Sequence, residues 1–401
     1  MKIATLTCGN RIRMGNKNQW GGNLFFIVGL SLICGLIINV PAQSGEEANE
    51  DTAAWIAKEA VPKKFDWIQL TSGEWLKGDL KVLYNDSLDF DSKKLDLLTF
   101  DWKDIQQIRC HAPQSLLIQP SGPAAEGTDR SSWTRTVVGI LQVKGEKVFV
   151  DTGEETLEFD RSALISIASG ERKELDYWSA KLTLSLDVMQ GNTDQINYGT
   201  YVNAMRRTTY SRFYMDYRGN INYSEGVETS NNQRINSYYD IFKTKKFFLR
   251  PVFAEYYHDP FANIAQQGTI GTGVGYSIID TATTELLIGP GVAYQQTRYD
   301  STEPGEAGTI STPALVVYSE FDTDLTKTID YNLQYKFYVV NKASGSYSHH
   351  FVTGLEINLT GHLELDLSLV WNRTKDPQPA SDGTVPEQDD VHFYCGIAFE
   401  L

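Results

Sequence analysis

Residues 363–371 read Leu-Glu-Leu-Asp-Leu-Ser-Leu-Val-Trp, and this segment decides the fold class of the chain. Leucine occupies every second position at its start, and Glu364, Asp366 and Ser368 lie between the leucines. A period of two residues is typical of a β-strand with one apolar and one polar face. The segment therefore predicts a strand whose two faces meet different surroundings.

The same alternation recurs throughout the C-terminal half of the chain. It forms twelve runs, which cover residues 178–189, 194–206, 210–223, 233–243, 247–258, 267–279, 283–297, 310–322, 329–341, 347–359, 362–372 and 390–401. Each run reaches the roughly 9–11 residues that a tilted strand needs to cross a bilayer. We therefore expect an all-β fold in which residues 176–401 form a 12-stranded antiparallel transmembrane β-barrel. A soluble secreted β-sandwich that binds a ligand is the alternative, but its strands usually have only about 5–6 residues.

The expected connections between these strands alternate in length. Those after the second, fourth and sixth strands are short and cover residues 207–209, 244–246 and 280–282. Several of the others are long, such as residues 224–232 and 373–389. Outer-membrane barrels have short periplasmic turns and longer outer loops. The pattern predicts a barrel in a bacterial outer membrane, with both ends of the barrel domain facing the periplasm.

The last strand carries a candidate signal for membrane assembly. Tyr394, Gly396, Phe399 and Leu401 have the spacing of the terminal strand that the barrel-assembly machinery recognises. Cys395 shares the apolar face with Phe399, which predicts a small lipid-facing side chain rather than a reactive thiol. The expected partners are therefore outer-membrane lipid and the barrel-assembly machinery.

The N-terminus has the composition of an export signal. Basic residues precede the apolar run of residues 24–40, and small residues around Ala42 provide a cleavage site. We expect residues 1–42 to form a cleaved signal peptide, with Met14 as an alternative start, and residues 43–64 to form a linker. A single membrane-anchoring helix is the other interpretation, but the run is shorter than the roughly 20 residues that a span needs.

A weak internal repeat lies between the linker and the barrel. Residues 78–82, Gly-Asp-Leu-Lys-Val, correspond to residues 139–143, Gly-Ile-Leu-Gln-Val. The Phe-Asp pair at residues 100–101 likewise corresponds to the pair at residues 159–160. Matching anchors at similar distances predict two β-rich units of similar structure.

This repeat sets the expected domain boundaries. Residues 65–112 and residues 134–175 each form one small SH3-like β-repeat, and residues 113–133, rich in Pro, Gly and Ser, join them. Each copy is too short to bury a large core alone, so we expect the two to pack together. Their position before the first barrel strand places them in the periplasm, where peptidoglycan or a periplasmic protein is the expected partner.

Charged residues on the expected inner face of the barrel are the candidate functional site. They are Lys181, Asp187, Asp216, Arg218, Lys336, Glu356, Glu364, Asp366 and Glu400. A twelve-stranded barrel lies in size between small filled barrels and open porins. Two interpretations stay open: an ion-pair network that closes a narrow lumen, and a water-filled path with a mild preference for cations.

Aromatic residues near the ends of the expected strands are predicted to form interfacial girdles. They are Trp178, Tyr256, Tyr257, Tyr294, Tyr299, Tyr318 and Trp371. Tyr and Trp suit a surface that is apolar on one side and wet on the other, so a girdle is favoured over a ligand cage.

Catalytic chemistry has little support in the sequence. Residues with catalytic types of side chain cluster near one expected outer loop: Ser346, Ser348, His349 and His350. Their order differs from the His-x-Ser-Asn-Gly signature of outer-membrane phospholipases. We therefore expect solvated loop residues, no catalytic residue and no enzyme, with an outer-membrane hydrolase as the alternative.

Metal, cofactor and nucleic-acid binding are not expected either. Asp259 beside His258, and the pair Asp389-Asp390, provide oxygen ligands, but loops rich in oxygen atoms often bind cations weakly or not at all. The net charge of −15 argues against nucleic acid, because phosphate binding requires clustered Lys and Arg.

The start of the barrel resembles a known family. Trp178, the strand at residues 182–186 and the turn Gly191-Asn192-Thr193 are similar to the first strand of the YdiY-like, salt-induced outer-membrane proteins, also described as domain of unknown function family 481. The resemblance covers about residues 177–401. It implies an outer-membrane location, no established activity and no catalytic residues. The function that we expect is that of an integral outer-membrane β-barrel with a structural, envelope-stress or narrow-pore role.

Overall fold

The computed structural model of the protein describes residues 64–84, 86–92, 94–119, 134–170, 174–189, 194–281, 283–360 and 362–400. Outside them lie the predicted signal peptide and all but the last residue of the predicted linker 43–64. Residues 191–193 and Leu401, which belong to the family resemblance and to the assembly signal, also lie outside them. Within the described part of the chain, no helix has the length and apolar character that are needed to cross a membrane.

The described residues before the barrel form a nine-stranded antiparallel sheet. Its strands are β1 (Asp66–Leu70), β2 (Trp75–Tyr84), β3 (Ser87–Ser92), β4 (Asp96–Asp101), β5 (Ile105–Ile118), β6 (Arg135–Lys144), β7 (Lys147–Asp151), β8 (Thr156–Asp160) and β9 (Leu164–Ser169). The order across the sheet is β4-β3-β2-β1-β5-β6-β7-β8, and β9 pairs with both β2 and β5. Its apolar residues enclose one core, in which Phe90, Ile108 and Leu141 are fully buried.

The internal repeat is visible as repeated local structure. In each copy, three strands (β2 to β4 and β6 to β8) are followed by a one-turn 3-10 helix, at Trp102–Asp104 and at Arg161–Ala163, and then by a fourth strand (β5 and β9). β1 precedes the first copy and has no counterpart in the second. The copies share one core, because β9 of the second copy pairs with β2 and β5 of the first. The Arg161 guanidinium lies 4.0 Å from the centre of the Trp102 ring and further joins them. A single copy is too small to exclude water, which explains the shared core; the SH3-like character of each copy stays a prediction.

The boundary between the copies lies later than predicted. Residues 113–133 were expected to form a linker, yet β5 continues to Ile118, where Leu116, Leu117 and Ile118 are buried. Pro113 lacks an N–H group, but the strand register shifts between Arg109 and Pro113, which accommodates the missing hydrogen bond. The rest of the expected linker, from residue 120, lies outside the described residues.

The C-terminal strands form a closed barrel of twelve antiparallel strands, which confirms the predicted fold. They are β10 (Trp178–Met189), β11 (Gln195–Arg207), β12 (Ser211–Ser224), β13 (Val227–Phe242), β14 (Phe247–Asp259), β15 (Ile264–Asp280), β16 (Thr284–Tyr299), β17 (Thr309–Thr326), β18 (Ile329–Val339), β19 (Tyr347–Thr360), β20 (Leu363–Thr374) and β21 (Asp389–Glu400). Each strand pairs with its neighbour in the chain, and β21 returns to pair with β10.

The two ends of the barrel differ in their connections. At one end, called here the turn end, the strands are joined by residues 208–210, 243–246, 281–283, 327–328 and 361–362. At the other, called the loop end, the longer connections include residues 300–308, 340–346 and 375–388.

One predicted loop of the loop end was wrong. Residues 224–232 were expected to form a loop, but β12 and β13 continue to a two-residue turn at Glu225 and Gly226. Both turn residues have positive φ, 53° and 74°, as a tight hairpin requires. Residues 228–233 are polar on both faces, so the strand has no apolar alternation that sequence reasoning could detect.

The outer surface of the barrel is apolar. Its exposed side chains include Leu184, Ile196, Ile270, Val292, Leu315 and Phe393. Cys395 is also exposed on this surface, between Tyr394 and Gly396 on the inner face. Three predicted girdle residues are not on the outer face. Tyr257 and Tyr318 lie in the lumen and are almost completely buried, and Tyr299 lies on the same face of β16 as the buried Gln295 and Thr297. A bulge in β14 between Arg250 and Phe253 turns Tyr257 inward, and Tyr318 lies well inside β17, which continues to Thr326.

Candidate functional site

The lumen contains a buried aspartate that is held by two arginines. Asp240 of β13 has no exposed surface. Arg250 of β14 donates from Nε to Oδ1 at 2.7 Å and from Nη2 to Oδ2 at 3.1 Å. Arg212 of β12 donates from Nη2 and Nε to Oδ2 at 2.9 and 3.2 Å. Glu320 Oε1, at 3.7 Å from Arg250, and Glu285 Oε1, at 3.9 Å from Arg212, balance the second positive charge.

Aromatic rings surround this charged group. The guanidinium of Arg250 lies 3.7 Å from the centre of the Tyr238 ring and 4.2 Å from that of Tyr318. The Tyr238 hydroxyl donates a hydrogen bond to Glu320 Oε2 at 3.3 Å, which links β13 to β17 across the lumen. Tyr318 donates to the Val274 carbonyl oxygen at 2.9 Å. The Asp240 carboxylate and the two tyrosine hydroxyls are therefore hydrogen-bonded within the protein.

Glycines on the inner face make room for the larger rings. A Cβ atom on Gly275 would lie 2.0 Å from Cζ of Phe248, and one on Gly271 would lie 2.4 Å from Cζ of Phe253. A Cβ atom on Gly289 would lie 2.3 Å from the Tyr318 ring. Aromatic side chains from β13, β14 and β17 thus fill the space above the glycines of β15 and β16. We call the inner face of β13 to β17 the packed half of the lumen.

A second ion-pair group crosses the lumen toward the loop end. Glu255 of β14 accepts hydrogen bonds from Lys336 Nζ and, at 2.7 Å, from the Tyr338 hydroxyl, both on β18. Lys336 also donates to Asn236 Oδ1 of β13 at 3.2 Å. Arg234 Nη1 lies 3.7 Å from Glu255 Oε2. Strands on different sides of the barrel are therefore tied together through charged side chains.

The remaining inner face, on β10 to β12 and β18 to β21, is polar and is called here the open half. Lys181 Nζ lies 2.5 Å from Glu356 Oε2 and 2.5 Å from Glu364 Oε2. Asp366 accepts hydrogen bonds from Thr183 and from Ser368, each at 3.2 Å. These groups cluster along the wall and leave space toward the axis.

Two cavities follow the open half, and a third opens at the loop end between residues of both halves. One of about 1060 Å³, including space open to solvent, lies near the turn end beside Lys181 and Asn203. A second of about 360 Å³ lies farther toward the loop end beside Ser185 and Tyr394. The residues that line both are Tyr201, Arg218, Asp366 and Ser368. A third, of about 880 Å³, opens at the loop end beside Arg234.

The structure places most of the predicted lumen residues on the inner face. Buried or half-buried positions there are held by Lys181, Asp216, Arg218, Lys336, Glu356, Glu364 and Asp366. Lys181, Glu356 and Glu364 meet in one cluster, whereas Lys336 lies with Glu255 elsewhere. Asp187 is exposed toward the loop end of β10, and Glu400 lies opposite Lys181 in the strand pairing.

The sequence pattern did not single out the charged groups of the packed half or the neighbouring Arg212 of β12. They are Arg212, Arg234, Asp240, Arg250, Glu255 and Glu320. All lie on the inner face, and alternation identifies those of β12, β13 and β17, whereas a bulge in β14 between Arg250 and Phe253 gives Arg250 and Glu255 opposite parity. The signal was therefore present in the alternation of β12, β13 and β17, but nothing in a single strand shows which inner residues meet across the lumen.

The nine-stranded sheet contacts the turn end of the barrel. Ser166 Oγ of β9 donates to the Thr209 carbonyl oxygen at 2.7 Å. Lys245 Nζ, in the connection between β13 and β14, lies 2.8 Å from Asp86 Oδ1. Lys245 lies at the turn end of the packed half, since its connection joins β13 and β14, whereas Thr209 lies between β11 and β12 of the open half.

The candidate hydrolase residues do not form a catalytic group. His349 points outward, where it stacks on Trp371 with ring centres 5.6 Å apart, while His350 points inward and lies 2.7 Å from Asn372 Oδ1. Ser346 Oγ donates to Asp376 Oδ2 at 2.5 Å. Neighbouring residues of a strand face opposite sides, so the two histidines cannot serve one site.

The candidate cation ligands have partners of their own. Asp259 accepts hydrogen bonds from the backbone N–H groups of Phe261 and Ala262. Asp389 pairs with Arg373, and Asp390 Oδ2 lies 2.6 Å from His392 Nε2. Among the described residues, no group of three or more potential metal ligands is found.

A family match covers the barrel that these residues line. Residues 182–397 match the model of a family described as protein of unknown function, DUF481. The chain belongs to the DUF481 family. This confirms the resemblance that the first barrel strand suggested. The DUF481 match spans β10 to β21 and leaves the nine-stranded sheet outside it.

Solved structures with similarity to this DUF481 protein are barrels of low sequence identity. The NanC porin structure is 10% identical, with 56% of this chain and 100% of that chain covered and a TM-score of 0.35. The translocator domain of the autotransporter NalP from Neisseria meningitidis is 10% identical, covering 55% and 87%, with a TM-score of 0.33. A Pseudomonas aeruginosa FadL homologue is 7% identical, covering 55% and 76%, with a TM-score of 0.29. No curated protein matches the chain.

Proposed function

We propose that this DUF481 protein is an integral β-barrel of a bacterial outer membrane. The observation that carries the proposal is the division of the barrel wall into an exposed apolar outer face and a charged inner face. Soluble proteins rarely expose an apolar surface of this extent. A closed barrel also suits a bilayer, because every strand has a paired neighbour on both sides and little backbone edge is left in lipid.

We further propose that the turn end faces the periplasm. The shorter connections lie at this end, and the nine-stranded sheet contacts it through Ser166 and Asp86. In this orientation the sheet lies in the periplasm, where peptidoglycan or a periplasmic protein is available as a partner. Tyr394, Gly396 and Phe399 would then be read by the barrel-assembly machinery before β21 pairs with β10.

The lumen favours a structural or narrow-pore role over general diffusion. The Asp240 group and the contact of Lys336 with Glu255 occupy the packed half. Buried ion pairs separate only at a high free-energy cost, because each leaves an uncompensated charge. Between the two ends of the barrel, room for water and small solutes therefore lies in the open half. Either role is compatible with a response to envelope stress.

Fractionation and gel mobility test the membrane location. The full chain should stay in the membrane pellet after a sodium carbonate wash, and unheated samples should migrate differently from boiled ones. Release by carbonate without a heat-dependent shift would contradict the proposal.

In planar bilayers we expect currents well below those of an open porin, and large porin-like steps would contradict an obstructed lumen.

A further inference from the structure

Arg218, in the middle of β12, differs from the other arginines of the lumen. Arg212 donates two hydrogen bonds to Asp240, whereas the buried Nε atom of Arg218 has no hydrogen-bond partner among the described residues. The ion pair of Arg218 with Asp216 Oδ1 measures 4.0 Å, which is too long for a hydrogen bond. The Tyr201 ring lies 3.9 Å from its guanidinium carbon and offers no acceptor in the guanidinium plane.

A buried guanidinium nitrogen without an acceptor is unfavourable unless water supplies one. Asn222, near the loop end of β12, has a buried Oδ1 atom that likewise has no partner among the described residues. The Tyr238 and Tyr318 hydroxyls of the packed half both have protein acceptors. Water is therefore required as a partner for these two atoms of the open half, whereas the two tyrosine hydroxyls do not need it.

The cavities of the open half meet at Arg218. This residue lines both the turn-end cavity and the second cavity, together with Tyr201 and Asp366. Glycines keep the second cavity free, because a Cβ atom on Gly199 would lie 2.1 Å from Ser185 Oγ. The residues that line the turn-end cavity all belong to the barrel. A neighbouring cavity shares Asp322 with it and is also lined by Tyr84 and Asp89 of the nine-stranded sheet, so the sheet lies beside this entrance.

We propose that a hydrated path runs through the open half, that Arg218 and Asp366 form its constriction, and that it admits small monovalent cations in preference to anions. This inference rests on the proposed membrane location. The charges along the path are two cations, Lys181 and Arg218, and four carboxylates, those of Asp322, Glu356, Glu364 and Asp366. An excess of negative charge in a narrow lumen raises the local concentration of cations.

Arg218 sets the degree of this preference. Its positive charge lies where the two cavities meet, and it offsets the negative charge of the neighbouring Asp366. Arg218→Gln keeps a polar side chain and removes the charge, so cation preference should increase. Asp366→Asn should decrease it.

Cysteine labelling tests whether the path is hydrated. Ser185→Cys places a thiol in the path, and Ala314→Cys places one on the inner face of the packed half as a matched control. The background carries Cys395→Ser and keeps Cys110, which is fully buried and whose thiol pKa burial raises well above its usual value. Both variants must first show heat-dependent gel mobility. This control ensures that a barrel that fails to assemble is not mistaken for a barrel whose lumen excludes water.

In reconstituted vesicles we expect the cationic trimethylammonium-ethyl methanethiosulfonate to modify Ser185→Cys at least about tenfold faster than Ala314→Cys. The anionic sulfonatoethyl reagent should modify Ser185→Cys more slowly than the cationic one. Equal rates at the two positions in an assembled barrel would overturn the path while leaving the membrane location intact.

Reversal potentials in a potassium chloride gradient test the constriction. The wild-type barrel should give a potential of the sign expected for cation selectivity, Arg218→Gln should increase it, and Asp366→Asn should decrease it. Anion selectivity of the wild type, or unchanged potentials in both variants, would show that Arg218 and Asp366 do not control permeation. Absence of any current in an inserted wild-type barrel would equally overturn the inference.

Discussion

Nε of Arg250 lies 2.7 Å from Oδ1 of Asp240 inside the barrel, and both side chains are almost completely buried. The same carboxylate accepts two hydrogen bonds from Arg212, so one aspartate on β13 holds arginines from both neighbouring strands. Removal of a partner from a buried ion pair is costly because the remaining charge has no water to solvate it. The order of the packed half therefore depends strongly on Asp240.

Asp240→Asn should destabilise the barrel by about 3–5 kcal/mol, because two buried guanidinium groups lose their counter-ion. The free energy of unfolding in urea, measured with the protein in lipid vesicles, gives this value. Asp187→Asn is the control, since Asp187 is exposed and its substitution should change stability by less than about 0.5 kcal/mol. If the two variants were equally stable, the buried charges would not hold the packed half together.

The charged groups show how far sequence reasoning reaches. Period-two alternation identified the barrel strands and their inner faces, because each strand meets lipid on one side and a polar lumen on the other. Whether Lys181 contacts Glu356 or another carboxylate depends on the register between strands. The sequence of one strand does not determine that register. The contact of Lys336 with Glu255 crosses the lumen and depends on the closure of the whole barrel.

Gly275→Ala should destabilise the barrel by about 1–3 kcal/mol, because the new Cβ atom would lie 2.0 Å from the Phe248 ring and would displace it. Phe248 is buried, so it has little space to move into. Phe248→Leu combined with Gly275→Ala should recover part of the loss. Gly268→Ala is the control in the same strand, since no atom lies within 4 Å of its added Cβ; an equal effect there would exclude the steric explanation.

The docking of the nine-stranded sheet should depend weakly on Lys245 and Asp86. Their ion pair is partly exposed, so a double-mutant cycle with Lys245→Ala and Asp86→Ala should give a coupling of about 0.2–1 kcal/mol. Hydrogen exchange at β9 in the four proteins measures it. High salt should reduce the coupling further, because exposed charges are screened. A coupling of zero at low salt would show that this contact does not contribute to docking.

The merging of the two repeats was less accessible from sequence than the barrel. The anchors at residues 78–82 and 139–143 correctly indicated two similar units, but each unit was expected to have its own boundary. The pairing of β9 with β2 and β5 joins residues far apart in the chain. Whether a strand of one repeat pairs with strands of the other depends on how much apolar surface each small core would otherwise leave exposed. Local sequence patterns do not contain this information.

The barrel closes over a short seam. Within the described part of the chain, β21 and β10 pair from Lys181↔Glu400 to Leu184↔Ile397, while β10 and β11 pair along the full length of β10. The seam joins the first and last strands of the barrel domain, which are not connected by a turn. The two strands can therefore separate there while every hairpin stays intact. We therefore expect the seam to separate first when the barrel is heated.

A disulfide across the seam tests this expectation. Thr183 and Ala398 lie directly opposite each other, so Thr183→Cys with Ala398→Cys, in a Cys395→Ser background, should form a bond that closes a loop of nearly the whole barrel. The expected gain in stability is about 2–4 kcal/mol, seen as a higher temperature for the shift in gel mobility, and it should be lost on reduction.

A matched pair in the β11–β12 hairpin, Ala204→Cys with Met215→Cys, also joins directly opposite residues but closes a much shorter loop. Because strands of a hairpin are already held together by their turn, this control should raise the transition temperature less. Equal increases in both variants would show that the seam is no weaker than the rest of the wall, and that the barrel unfolds as one unit.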